Sequence, residues 1–112
     1  MKIEFCVTSI EGAVAAEQFK ADRIELCSRL DLDGLTPSLN LIQQCRSAYK
    51  GEIHIMIRPE DGPFICNDST LNKMQDSIVK SAEVGINGIV IGLLNDHNKI
   101  DTKATASLVE IA

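Results

Sequence analysis

The chain has 112 residues, 45% apolar and 24% charged, a balance that suits one folded domain and excludes intrinsic disorder. A net charge of −5, a pI near 4.9 and the absence of a Lys/Arg cluster argue against nucleic acid as a partner. The same acidity argues against anionic membranes, and no apolar run approaches the ~18–20 residues of a membrane span.

Residues 3–7 (Ile-Glu-Phe-Cys-Val) alternate with period two and predict a first strand near 2–7. Thr8-Ser9-Ile10-Glu11 reads as a capping box opening a helix, with Ile10, Ala13, Val14 and Phe19 near one side. A second alternating strand is predicted at 22–27. Its helix follows Thr36-Pro37-Ser38, with Pro37 at the first helical position and an apolar stripe of Leu41, Ile42, Cys45, Ala48 and Tyr49. The third strand, 53–58, ends at Pro59 and a polar loop runs to about Asp68. A helix carrying Leu71, Met74, Ile78 and Ala82 follows, closed by Gly85 as C-cap. A short apolar strand at 88–92 and a helix from Asp101-Thr102 complete the pattern.

The order βαβαβαβα requires a parallel sheet with helical crossovers, its strands in chain order. No glycine-rich phosphate-binding sequence follows strand one, and three of the four strands alternate instead of reading as continuous apolar runs. Both features favour a (βα) barrel, where only the outer face meets helices and the inner face carries polar groups towards the C-terminal mouth.

On that reading Ile3, Phe5, Val7, Ile24, Leu26, Ile53, Ile55 and Ile57 face the helices. Glu4, Cys6, Glu25, Cys27, His54, Met56 and Arg58 then face inward. Thiols, thioether and imidazole suit Cu(I), or Zn where thiolate and imidazole dominate. Carboxylates beside Arg58 and His54 instead suit acid/base work on a small anion. Plainer readings exist for each residue. Cys6, Cys27 and Met56 are ordinary core fillers elsewhere, His54 fits a hydrogen-bonded core histidine, and Glu4, Glu25 and Arg58 could form a lining ion-pair network. Cys45, Cys66 and His97 read as bystanders. With no signal-peptide core at the amino terminus and no C-x-x-C pair, the four cysteines read as reduced thiols of a cytoplasmic protein.

Arg23-Ile24-Glu25-Leu26-Cys27, Gly34-Leu35-Thr36-Pro37-Ser38, and Ile57-Arg58-Pro59 with Phe64 and Asp68 resemble the CutC family of copper homeostasis proteins. Glu4-Phe5-Cys6 and Ile89-Val90-Ile91-Gly92 fit the same likeness. The resemblance implies a (βα)₈ TIM-type barrel, a cytoplasmic role in copper binding or tolerance, and no established catalytic activity. It makes Cys6 and Cys27 the candidate copper ligands and puts Glu25 and Arg58 at the barrel mouth. Two positions depart from the family pattern: Asp33-Gly34 replaces a double Gly, and Glu60 stands where an Arg is common.

A (βα)₈ barrel needs ~250 residues, so residues 1–112 form a single domain holding its first four units. The expected partners are a copper ion and a second copy of the chain, since four strands leave two edges unpaired. A barrel enzyme using Glu25 and Arg58 on a small polar metabolite remains the alternative function, and a scaffold without a ligand the third.

Overall fold

The computed structural model describes all 112 residues. Strands β1 (Glu4–Val7), β2 (Arg23–Leu26), β3 (Glu52–Met56) and β4 (Gly88–Val90) alternate with helices α1 (Ile10–Gln18), α2 (Leu39–Ala48), α3 (Asp68–Val84) and α4 (Thr102–Ile111). All pairings are parallel, in the order β1-β2-β3-β4, so chain order is sheet order. The strands are one to two residues shorter at most ends than the alternation suggested. Their ladders continue beyond them, as in Cys27 N–H to Val7 O and Ile57 N–H to Val90 O, each at 3.0 Å.

One face of the sheet is buried by the helices. Ile24, Leu26, Ile53 and Ile55 are fully buried and Ile57 nearly so, in one core with Ala13, Ala16, Ile42, Cys45, Tyr49, Met74, Ile78 and Leu108. Alternation and burial agree here because period-two geometry sends every second residue to the same side.

The helices depart from expectation at their ends and on two faces. Ser9, not Thr8, caps α1 by accepting from Gly12 N–H, so Glu11 falls in the first turn instead of closing a capping box. Ser38 caps α2, which leaves Pro37 just outside the helix. On α1, Val14 (51% exposed) and Phe19 (71%) face outward, and Ala13 and Ala16 make the contact with the sheet. Small residues allow a close approach: a Cβ on Gly12 would stand 3.0 Å from Val7 Cγ1. On α3 Ser81 is buried with Met74 and Ile78, and Ala82 is exposed. Asn67 caps α3 at Thr70 N–H, and Gly85 ends it at φ +91°, the left-handed turn for which glycine is suited.

A short 3₁₀ turn, Leu30–Leu32, was not legible in the sequence. It is enclosed by a two-way backbone bridge between Ser28 and Leu35 that folds the β2–α2 loop back on itself. Asp33 and Gly34 both take positive φ, 65° and 91°, in this turn. That explains why an Asp replaces the first glycine at tolerable cost: Asp is among the residues that visit this region.

Candidate functional site: a thiol pair on the inner face of the sheet

Strand register sorts the face opposite the helices into rows. Glu4, Arg23 and Glu52 form the row nearest the N-terminal ends; Cys6, Glu25, His54 and Gly88 form the next. Beyond them stand Met56 and Val90 in register, and Cys27 at the end of β2. Six of the seven inward candidates, Glu4, Cys6, Glu25, Cys27, His54 and Met56, therefore share one face.

The thiols of Cys6 and Cys27 meet with their sulfurs 4.0 Å apart. Cys6 is exposed on the open side of β1, whereas Cys27 is only 1% exposed. Burial, reinforced by the neighbouring Cys6 and Glu25, pushes the Cys27 thiol up to about 11. Met56 adds a third sulfur-bearing side chain nearby. Its methyl and the Cys27 sulfur both border Gly34, where an added Cβ would lie 3.7 Å from Met56 Cε and 3.9 Å from Cys27 Sγ.

Glu25 lies between Cys6 and His54. Burial first, then the adjacent Glu4 carboxylate, raises its carboxyl above the usual value, against the opposing pull of Arg23 and His54. The His54 ring lies across Gly88, leaving under 3 Å for any Cβ there, and its Nε2 is 3.6 Å from Glu52 Oε2. Only glycine at position 88 leaves the imidazole that space. Arg23 pairs with Glu4. The same alternation that selected Glu25 and Cys27 places Arg23 on this face, beside Glu4, although it is not among the inward residues read from the sequence.

Arg58 corrects two expectations. It does not join a lining network with Glu4 and Glu25, and it does not present a free guanidinium at the mouth. The residue is only 7% exposed. Its Nη1 donates to Leu32 O at 2.6 Å and Gly34 O at 3.0 Å, its Nη2 to Gly62 O at 2.8 Å, and the Phe64 ring covers it with Cζ 4.4 Å from the centroid. Arg58 thus ties the β2–α2 loop to the loop after β3, and its Nε is buried without an acceptor. A cleft of about 310 Å³ lies alongside, between Pro59, Glu60, Phe64 and Asn67. Glu60, the unusual acidic residue here, pairs with Lys73.

The donor set tests what metal would suit the site. No three His, Cys, Asp or Glu side chains stand close enough to enclose an ion, which disfavours the four-ligand tetrahedral site zinc takes. Two sulfurs 4.0 Å apart are nearer than twice a metal–thiolate bond of ~2.3 Å, so a single soft ion can touch both. A cleft at the N-terminal ends of the strands, about 560 Å³ between Lys2, Asp22, Arg23, Lys50 and Glu52, contains neither thiol.

Four parallel strands in chain order, each followed by a helix, with polar chemistry on the face turned from the helices, define a segment of a (βα)₈ TIM-type barrel. A crystal structure of CutC from Streptococcus agalactiae shares this arrangement with a TM-score of 0.89 at 30% identity, over 99% of this chain and 55% of that one. The CutC family model matches residues 1–112, and the chain belongs to the CutC family. A CutC family protein of Glaesserella parasuis serovar 5 is 39% identical over 110 residues, 98% of this chain and 45% of that protein. The human copper homeostasis protein cutC homolog is 38% identical over 109 residues, 97% of this chain and 40% of its own. The chain spans less than half the length of these curated relatives.

Proposed function

We propose that this chain serves copper homeostasis by holding Cu(I), as cargo, between Cys6 and Cys27 in the reducing environment of the cytoplasm. The observation that carries the reading is the 4.0 Å separation of the two sulfurs. Family membership supports it, as does the name of the human relative. Thiolate is the ligand that Cu(I) favours, and the Met56 thioether beside Cys27 is a soft group of the same preference. Binding must displace the proton that burial holds on Cys27, so affinity rises with pH across the neutral range. Glu25 and His54 line the approach, and Arg58 takes no part because loop carbonyls occupy its donors. That engagement also removes the cation on which an acid/base enzyme reading would rely.

The test is Cu(I) titration of the reduced chain against a competing chromophoric chelator. One equivalent is expected to bind, with affinity falling at least tenfold, about 1.4 kcal/mol, in Cys6→Ser/Cys27→Ser. Met56→Leu is expected to weaken binding by less. Binding unchanged in the double variant overturns the reading.

A further inference from the structure

Of the four cysteines, only Cys6 and Cys27 have sulfurs in mutual contact. Cys45 is buried with its thiol directed at Ser9 O, and the Cys66 thiol is directed at Asn67 O. We infer that Cys6 and Cys27 form a reversible disulfide when the chain meets a hydroperoxide, and that this bond and a bound Cu(I) exclude one another. The exclusion rests on the copper reading above; the disulfide does not.

The two residues differ in the way a two-step oxidation requires. Cys6 lies on β1, which pairs only with β2, and its side chain is exposed to a small oxidant in solution. Cys27 is shielded from solvent but reachable by Cys6. The Cys6 sulfur attacks the peroxide oxygen, breaking the O–O bond and releasing water or an alcohol, and leaves a sulfenic acid. The Cys27 sulfur then displaces the sulfenic oxygen, and its thiol proton leaves with that oxygen as water. Two thiols and one hydroperoxide become one disulfide, one water and one alcohol, or two waters from hydrogen peroxide.

Strand geometry decides how stable that bond is. Val7 and Leu26 are register partners, so Cys6 stands one step before that pair and Cys27 one step after it. Such diagonal positions lie further apart than directly opposed ones. To form a bond of ~2.05 Å the sulfurs must close from 4.0 Å. The movement falls on Cys6, whose strand has a free edge. A disulfide made under strain is easily reduced, which makes it labile and not a structural staple. Once formed, it leaves neither sulfur as a thiolate donor.

The test treats the reduced, metal-free chain with hydrogen peroxide near one equivalent, then denatures it and counts thiols. The count is expected to fall from four to two, with trypsin releasing peptides 3–20 and 24–29 linked to each other. Reduced glutathione restores all four thiols. In Cys27→Ser, dimedone is expected to trap a sulfenic acid on Cys6. Oxidation that leaves four thiols, or links a different pair, or adds oxygen to Cys6 in the native chain without linkage, overturns the disulfide. Cu(I) is then offered to both forms. Binding to the reduced form alone supports the exclusion, and equal binding to both overturns it with the disulfide intact. Binding to neither overturns the exclusion and the copper reading together, again with the disulfide intact.

Discussion

The two faces of the sheet come from the same residues taken alternately, yet they behave as different materials. On the helix side, Ile24, Leu26, Ile53, Ile55 and Ile57 are at most 1% exposed and touch other apolar side chains throughout. On the inner side, Glu4 and Cys6 are exposed, and Glu25, His54 and Met56 are half-buried. The first face carries the stability, because apolar area removed from water is what drives folding. The second retains ionisable and sulfur-bearing groups, and burial and like charge oppose ionisation of Glu25 and Cys27. Cys27 belongs to both: it is packed as tightly as the isoleucines, and its sulfur still opens towards Cys6.

The largest expected effect concerns assembly. The inner face is uncovered, the outward edges of β1 and β4 have no partner strand, and Phe64, Ile91, Leu94 and Ile100 border an apolar hollow of about 410 Å³ beside β4. The isolated 112-residue chain is therefore expected to associate, with dimer its smallest form, as read by light scattering at micromolar concentration. A monomer with a cooperative melt would show that the inner face needs no cover. Next in size is a cavity on the helix side. Ile55→Ala is expected to cost about 2–5 kcal/mol in denaturant unfolding; a loss below that range would mean the two faces differ less in packing than their burial indicates.

Arg58 sharpens the comparison at the end of β3, where the alternation points it inward but the loops enclose it. Arg58→Met leaves Leu32, Gly34 and Gly62 carbonyls without their donor and is expected to destabilise on the order of 3 kcal/mol. Cu(I) affinity should stay within a few-fold of the parent. A stable variant with lost copper binding would reverse that assignment.

The smallest effect belongs to Glu25. Its carboxyl is raised in the fold, so the folded state holds the proton more tightly than the unfolded chain does. Stability from this group is fully present below the unfolded value of about 4.5 and is lost as pH rises through the folded one. Glu25→Gln is therefore expected to gain a few tenths of a kcal/mol at neutral pH, a modest figure because the site is partly solvated. The gain relative to the parent should vanish as pH falls towards 4.5, measured by paired melts. A gain that persists there would point to shape, not charge.

Local pattern determined much of this protein. Period-two alternation assigned sheet faces without any long-range knowledge, since a strand's geometry fixes the direction of successive side chains. The βα order dictated parallel pairing, because connections that return a strand to the same end need a crossover. The R-x-E-L-C and G-L-T-P-S segments carried the family. Other features depend on how separate segments meet, which no local window contains. The capping residue of α1 was decided by one register step, with Ser9 taking the place expected of Thr8. The outward turn of Val14 and Phe19 goes with α1 burying Ala13 and Ala16 and bringing Gly12 against Val7. The guanidinium of Arg58 is engaged by carbonyls of Leu32, Gly34 and Gly62, on two loops whose closure is a tertiary event. The distance between the Cys6 and Cys27 sulfurs, residues 21 apart in the chain, exists only because β1 and β2 lie side by side in that register.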